Sequence, residues 1–365
     1  MRAARWDGSR LRVADVPVPE PGPGEVLIEV RAVGVNQLER QVMAGAPLGP
    51  GVLLPRTIGL DPAGVVVACG PGVPDRVGAR VAVKPNVPCG GCGSCTAGRE
   101  ADCPAQTVVG IHRDGGAAEY VVVPSRVAFD VGRLPFARAA AAVHSVPIAL
   151  HMIRRSGRGV PRKVLVTGAT GALGCAAVQV AAALGAEVTA GALEGEPIGD
   201  LPGLGASEVV TYPREGAGAA LEKALDGSMP ALVLDATGSG ELISAALRCV
   251  AWAGAVVVAA ALPDSAVELD TRAFYTRRIT LYGCAAADYA DVRDGLDLVS
   301  RGLVRPPVAA EMPLEEVGAA FEMAGRRDHL GKVMLVLNPA RLVTDPARLV
   351  TDSARLLTKE EPTCP

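Results

Sequence analysis

The sequence predicts an α/β protein in two parts, a β-rich opening and a doubly wound parallel sheet. Residues 1 to about 125 contain short Val-rich runs between Gly and Pro, such as "AGVVVACG" and "AAEYVVVP", and this spacing indicates a small barrel or sandwich. From about residue 160, apolar strands alternate with helical segments, from "KVLVTG" to "AVVVAAA". Such alternation is typical of a parallel sheet with helices on both faces. Two amphipathic helices after residue 290 lead to a closing strand, "GKVMLVL".

Composition narrows the class of protein. The 365 residues are enough for two domains with buried cores. A net charge of -3 and an aromatic content of 3% disfavour nucleic-acid binding. No run of eighteen apolar residues is free of charge or Gly and Pro, so we expect no transmembrane helix. The opening "MRAARWDGSRLRV" lacks an apolar signal core, so we expect a cytoplasmic location with reduced thiols.

A glycine-rich turn indicates a nucleotide site. "VLVTGATGALG" places Gly168, Gly171 and Gly174 between a strand and an Ala-rich helix. Glycines there let the backbone approach a pyrophosphate, and the helix N-terminus favours its negative charge. The predicted cofactor contacts lie in this turn and at the following strand ends: Thr167, Gly168, Gly171, Ala172, Leu173, Gly174, Gly191, Tyr212, Thr237 and Gly238.

The second strand of this unit bears on the choice of cofactor. NAD-preferring sites place Asp or Glu at its end to bind the ribose hydroxyls. Here Ala190, Gly191 and Ala192 lie at that end, and Glu194 lies two residues beyond Ala192. No Arg or Lys follows at once to bind a 2′-phosphate. Because the acid is missing, we expect NADPH, with NADH as the alternative.

Four cysteines predict a structural metal. Cys89, Cys92, Cys95 and Cys103 follow the pattern C-x2-C-x2-C-x7-C. Four thiolates can surround Zn²⁺ tetrahedrally, and this closed shell leaves no open position for a substrate. Disulfides are disfavoured in a chain without an export signal. We therefore predict one structural Zn²⁺.

The C-terminal segment contains a seven-residue repeat. "ARLVTDP", "ARLVTDS" and "ARLLTKE" occupy residues 340 to 360. Period seven could form a coiled-coil seam, but three repeats with Pro346 inside favour a tandem duplication that is partly helical or disordered.

This order of parts resembles the medium-chain dehydrogenase/reductase superfamily over residues 1 to 337. "GVNQLERQVMAG" and "IGLDPAGVV" resemble its zinc-independent quinone oxidoreductase and enoyl reductase branch. The resemblance implies a homodimer in which "RRITLYGC" joins the sheet edges. It also implies a domain order: a GroES-like catalytic domain (1–128), a Rossmann domain (129–268), a return to the catalytic domain that includes the dimer-edge strand (269–337), and the tail (338–365).

The resemblance also implies which residues line the active site. Where alcohol dehydrogenases carry catalytic-zinc ligands, this sequence has Asn36, Leu60 with Asp61, and Ser145. Leucine cannot ligate zinc, and Asn and Ser replace thiolate poorly. His144 is next to Ser145 but lacks evident partner ligands, so we predict that the catalytic zinc is lost.

Asn36, Asp61, His144 and Ser145 are therefore the predicted catalytic residues. Asn36 is the first candidate to donate a hydrogen bond to a substrate oxygen, with Gln37 as a neighbour and Tyr289 as a further proton donor. For every one of these side chains except Asn36, a purely structural role is at least as plausible.

Without a Lewis acid, hydride transfer suits an acceptor that is already electron-poor. We expect NAD(P)H-dependent reduction of an activated C=C in an enone, enoyl thioester or quinone, with natural-product biosynthesis as one setting. The substrate is a small molecule, and no nucleic-acid or membrane partner is expected. Two alternatives stay open: an alcohol dehydrogenase with rearranged metal ligands, and a nucleotide-binding scaffold without turnover.

Overall fold

The computed structural model describes residues 1–45, 52–157, 159–263 and 265–337. The predicted repeat at 340–360 lies outside the described residues. The strands are β1 (Arg2–Trp6), β2 (Leu11–Asp15), β3 (Glu25–Gly34), β4 (Arg56–Thr57), β5 (Ala63–Cys69), β6 (Arg80–Val83), β7 (Asn86–Val87), β8 (Thr107–Val108), β9 (Tyr120–Pro124), β10 (Ala128–Asp130), β11 (Lys163–Thr167), β12 (Glu187–Leu193), β13 (Ala206–Tyr212), β14 (Leu232–Asp235), β15 (Ala255–Val258), β16 (Thr280–Gly283), β17 (Val308–Pro313) and β18 (Lys332–Val336). The helices are α1 (Gln37–Met43), α2 (Gly93–Thr96), α3 (Phe136–Arg155), α4 (Ala172–Ala183), α5 (Ala217–Leu225), α6 (Gly240–Cys249), α7 (Thr271–Thr276), α8 (Tyr289–Ser300) and α9 (Val317–Gly325).

The first and last parts of the chain build one β-rich domain, as the sequence predicts. Its seven-stranded sheet has the order β10-β6-β5-β3-β18-β17, with β9 also paired to β3. β18 pairs antiparallel with β3, so that Met334 lies opposite Gly34. This pairing brings the closing strand beside the start of α1, where Asn36 lies.

The middle of the chain forms the Rossmann domain. Six parallel strands have the order β13-β12-β11-β14-β15-β16, which is the 3-2-1-4-5-6 order of a dinucleotide-binding sheet. The sheet includes β16, since Ala255 of β15 lies opposite Thr280. The predicted boundary between residues 268 and 269 is therefore too early: "RRITLYGC" is the edge strand of the Rossmann sheet itself, and the chain returns to the catalytic domain only after Gly283.

Helix α3 packs against β3 of the catalytic sheet and against α4 and α8. It is long and apolar enough to cross a membrane by length and composition, but 72% of its most apolar window is buried inside the protein, which is typical of a core helix. His144 and Ser145 lie in the middle of α3 and are held beside the catalytic sheet.

Candidate active site and cofactor cleft

The glycine-rich turn is shaped for a pyrophosphate. Gly168 has φ 73°, a left-handed conformation that favours glycine. A Cβ at Gly174 would lie 2.7 Å from Ala169 Cα, so only glycine fits there. Gly171 caps α4, and Gly171 to Leu173 are exposed or half-exposed. The first N–H groups of α4 therefore face open space where an anion can bind.

Asp235, at the end of β14, organises the cleft behind this turn. Its buried carboxylate accepts hydrogen bonds from Thr167 Oγ1 at 2.6 Å, from Thr237 Oγ1 at 2.6 Å and from Gly238 N at 2.8 Å. Burial raises its pKa. The hydroxyl groups of Thr167 and Thr237 are thus engaged with Asp235, and these two predicted contacts shape the cleft from behind.

Tyr212 also lies behind the predicted cofactor surface. It is 1% exposed, and a Cβ added at Gly191 would lie 3.3 Å from its hydroxyl. The Tyr212 ring therefore packs against Gly191, and its direct contact with a cofactor stays a prediction.

Three of the predicted catalytic residues meet in one hydrogen-bonded cluster. Asn36 Nδ2 donates to Gly34 O and to Asp61 Oδ1, both at 3.2 Å. Both partners can only accept, so the amide nitrogen must face them and Asn36 Oδ1 faces His144 Nδ1 at 3.4 Å. The proton of neutral His144 therefore lies on Nδ1, and its Nε2 has a free lone pair.

This geometry corrects the role predicted for Asn36. Both N–H groups of its amide are used inside the protein, so it cannot be the donor to a substrate oxygen. Its carbonyl instead orients His144. Ser145 is not free either, because its hydroxyl donates to Ala141 O at 2.9 Å. Gln37 Nε2 donates to Ala324 O at 2.6 Å.

Tyr289 packs edge-on against Phe129, with ring centroids 5.6 Å apart. Burial raises the pKa of its hydroxyl to about 12. This tyrosine therefore keeps its proton at neutral pH and packs at the start of α8, and its use as a proton donor stays a prediction.

Lys332 is the residue of this cluster that sequence reasoning missed. Its ammonium group forms an ion pair with Asp61 Oδ2, and the two side chains are 3% and 0% exposed. The lysine lies over Gly34, where an added Cβ would be 2.8 Å from Asp61 Oδ1. The motif "GKVMLVL" signalled only a strand, because its partner Asp61 is 271 residues away.

The donor set does not fit a catalytic zinc ion. Leu60 offers no ligand and is fully buried. Asp61 is already neutralised by an ammonium group that would repel a dication. His144 Nδ1, 4.0 Å from Asp61 Oδ2, carries the proton that points at Asn36, so this side chain could offer one ligand atom, Nε2. Among the residues that the structure describes, neither a family-type site nor a rearranged site around Asp61 and His144 has three available ligands.

Burial shifts the charge states of the titratable groups around the cluster. Burial, and then the positive charges of Lys332 and Lys84, lower the pKa of His144 to about 4 against the opposing effect of Asp61. Burial raises the pKa of Glu39 to about 8, with a smaller contribution from Asp61. At neutral pH Glu39 and His144 are therefore uncharged. Lys332 pairs with Asp61, and Lys84 lies near the carboxylates of Glu100, Asp288 and Asp291.

The four cysteines come together as the sequence predicts. All four Sγ atoms lie within 4.8 Å of one another, with Cys92–Cys95 at 3.5 Å and Cys89–Cys95 at 3.9 Å. A tetrahedron with Zn–S bonds of about 2.3 Å has sulfur atoms about 3.8 Å apart. Backbone N–H groups of Gly91 and Cys92 lower the pKa of Cys89 to about 6, whereas burial raises the pKa of Cys95 to about 12, so Cys89 loses its proton more readily than Cys95. The arrangement fits a closed structural zinc site.

A second group of possible ligands has a different explanation. His151, Asp288 and Asp291 are close enough to share a metal ion. However, Asp291 already pairs with His151 at 2.6 Å and with Arg154 at 2.7 Å. Asp288 accepts from Ala101 N at 2.7 Å. These bonds dock the cysteine-rich lobe onto α8 and α3, and the group is a satisfied ionic network.

Known proteins match both domains. Residues 22–133 match the alcohol dehydrogenase GroES-like domain family, and residues 172–301 match the zinc-binding dehydrogenase family. Among curated relatives, L-threonine 3-dehydrogenase of Symbiobacterium thermophilum is 31% identical over 350 residues, which are 92% of this chain and 97% of that protein. Acryloyl-coenzyme A reductase of Metallosphaera sedula is 29% identical over 338 residues, which are 88% of this chain and 95% of that protein.

A crystal structure of an NAD-dependent alcohol dehydrogenase superposes with a TM-score of 0.84 at 32% identity, covering 93% of this chain and 100% of that chain. This structural match, like the sequence matches, extends over both domains. The chain is therefore an oxidoreductase of the medium-chain dehydrogenase/reductase superfamily.

Proposed function

We propose that this protein uses NADPH to reduce an activated C=C, in an enone, an enoyl thioester or a quinone, without a catalytic zinc ion. The observation that carries the proposal is the buried Lys332–Asp61 pair beside His144. It fills the place of a metal site with a fixed ammonium group. Simple alcohols and ketones need an electrophile on their oxygen, whereas a conjugated acceptor spreads the negative charge itself.

The cofactor, when bound, supplies a hydride to the β-carbon of the acceptor. The residues of the chain then have three tasks. The glycine-rich turn and the start of α4 hold the pyrophosphate, while Asp235 fixes the turn from behind. Lys332 and Lys84 stabilise the negative charge that develops on the substrate oxygen. The α-carbon takes its proton from water, because neutral His144 has a lone pair at Nε2 and no proton to give there.

The substrate class is supported by one relative, the acryloyl-coenzyme A reductase, whose name specifies an enoyl thioester. Other relatives are named as dehydrogenases. One observation favours that second candidate function: the free Nε2 of His144 can accept a proton from an alcohol. Metal-free alcohol oxidation with His144 as base is therefore the alternative.

The two candidates differ in substrate and in the source of hydrogen. We expect purified protein with NADPH to reduce members of an enone, enoyl thioester and quinone panel. In D₂O, deuterium should enter the α-carbon only, and metal analysis should find one zinc per chain. NADP⁺ reduction by alcohols without any enone turnover would select the alternative. Two zinc ions per chain would contradict the missing catalytic site, and cofactor binding without turnover on either panel would indicate a scaffold.

The protein is further proposed to be a homodimer joined through β16. Within the described residues this strand pairs only with β15, so its outer edge is open. Leu281 of β16 is 37% exposed, and Trp252 and Tyr275 are exposed as well. An open edge strand with exposed apolar side chains favours pairing with a second copy. The cytoplasmic location stays a prediction.

Replacing Leu281 by Arg should convert the dimer to a monomer, because a charge would be buried at the centre of the joined edges. Light scattering after size exclusion measures the mass. Leu184→Arg, at a similarly exposed position on the C-terminal end of α4, is the matched control and should stay dimeric. A monomeric wild type, or a dimeric Leu281→Arg variant, would contradict this interface.

A further inference from the structure

An ion pair lies at the end of β12, beside the glycine-rich turn. Glu196 follows this strand by three residues and is buried. Its Oε2 accepts hydrogen bonds from Thr170 Oγ1 at 2.7 Å and from Leu193 N at 3.1 Å. Its Oε1 faces Arg327 Nη1 at 3.1 Å. Thr170 belongs to the turn itself, so this carboxylate ties the turn, the end of β12 and Arg327 together.

Arg327 arrives here from the far end of the chain. It lies in the loop between α9 and β18, and Gly331 N of the same loop donates to Thr170 O at 3.0 Å. The loop is thus fixed against the cofactor turn. The sequence directly after β12 gives no sign of this cation, because Arg327 is 131 positions from Glu196.

The position of this pair is the one that distinguishes the two nicotinamide cofactors. In a dinucleotide-binding sheet, the adenosine ribose lies over the end of the second strand, which is β12 here. An acid there binds the 2′-hydroxyl of NADH, whereas an arginine nearby accommodates the 2′-phosphate of NADPH. Glu196 and Arg327 supply one group of each kind.

The contacts of the two side chains decide between them. Three donors already occupy the carboxylate of Glu196, whose side chain is 5% exposed, and a carboxylate has about four acceptor positions. The side chain of Arg327 is 55% exposed. Only its Nη1 has a polar partner among the described residues, so the rest of the guanidinium group can face a ligand.

We propose that Arg327 binds the 2′-phosphate of NADPH and thereby sets the preference for NADPH over NADH. Glu196 is a positioning residue that holds the guanidinium group at the strand end. A planar guanidinium offers two parallel N–H groups to phosphate oxygens. This inference rests on the proposed function only in requiring a nicotinamide cofactor, and it deepens that proposal by naming the residue that selects it.

The test is calorimetric binding of 2′,5′-ADP and 5′-AMP to the full-length protein, without any reducible substrate. Wild-type protein should bind 2′,5′-ADP at least tenfold more tightly than 5′-AMP. Arg327→Ala should weaken 2′,5′-ADP binding at least tenfold and change 5′-AMP binding less than twofold. Arg327→Lys, which keeps the charge without the fork, should show an intermediate preference. Arg326→Ala, at the neighbouring exposed arginine, should behave as wild type.

Equal affinity of wild type for the two probes, no detectable binding of either, or an unchanged preference in Arg327→Ala would overturn the assignment. Equal affinity or an unchanged preference would change the cofactor contact and leave the proposed reaction class standing, because the assay contains no hydride acceptor. No binding of either probe would also count against the nicotinamide cofactor that the proposed reaction requires. If no member of the enone, enoyl thioester and quinone panel were reduced, the proposed reaction class would be wrong and the cofactor contact would stand.

Discussion

Replacing Lys332 by Met should lower the free energy of unfolding by about 3–5 kcal/mol, the cost of leaving one partner of a buried ion pair uncompensated. Asp61 is fully buried and would lose its counter-ion, while Met keeps most of the volume of the lysine stem. Turnover of an enone should fall at least a hundredfold, because the cleft loses one of its two ammonium groups. Chemical denaturation and steady-state kinetics measure the two effects.

The double variant Lys332→Met/Asp61→Asn separates charge from volume. The amide introduced at position 61 keeps an oxygen for Gly34 N and Asn36 Nδ2, the two donors that Asp61 Oδ1 serves, and the buried charge is gone. Most of the lost stability should return, and turnover should recover in part because the uncompensated carboxylate of the single variant no longer opposes negative charge on the substrate oxygen. A Lys332→Met protein as stable and as active as wild type would show that the ammonium group has no role in the cleft.

Local patterns account for the parts of the fold that the sequence predicts well. The Gly-rich turn, the alternation of strands and helices, and the four cysteines each lie within a short stretch of chain. Residues this close in sequence meet without a long-range contact, as for Cys89 to Cys103, whose Sγ atoms do converge. The boundary at residue 268 failed because β16 is a short strand whose place in the sheet depends on its pairing with β15.

The functional details missed by sequence reasoning depend on contacts between distant segments. Lys332 meets Asp61 across 271 residues, and Arg327 meets Glu196 across 131. No periodicity or motif connects such pairs. Family resemblance predicts Asn36 as a site residue, but the direction of its amide follows from Gly34 and Asp61 as acceptors. Residue identity predicts which group is present, whereas its partners decide which way it can act.

Enone turnover should also fall at least tenfold as pH rises from 7 to 9. Burial raises the pKa of Glu39 from 4.5 to about 8, so this side chain is neutral below pH 8 and negative above it, close to Asp61. Burial lowers the pKa of Lys84 to about 8, so its positive charge is lost in the same range. Both changes oppose negative charge on the substrate oxygen. His144, with its pKa lowered to about 4, stays neutral throughout and should add no step between pH 5 and 9.

Glu39→Gln is the control, because glutamine resembles the protonated acid at every pH. Its activity should decline less steeply above pH 8, with only the Lys84 step left. Stability provides an independent measurement. The folded protein holds the Glu39 proton up to about pH 8, whereas the unfolded chain releases it near 4.5. The fold therefore loses stability as pH rises through that interval, by about 1.4 kcal/mol per pH unit at most. Glu39→Gln should melt several degrees above wild type at pH 8, with a much smaller difference at pH 5. The same difference at both pH values would mean that Glu39 is already ionised in the folded protein at neutral pH. The cleft would then carry one more negative charge than a neutral Glu39 gives it.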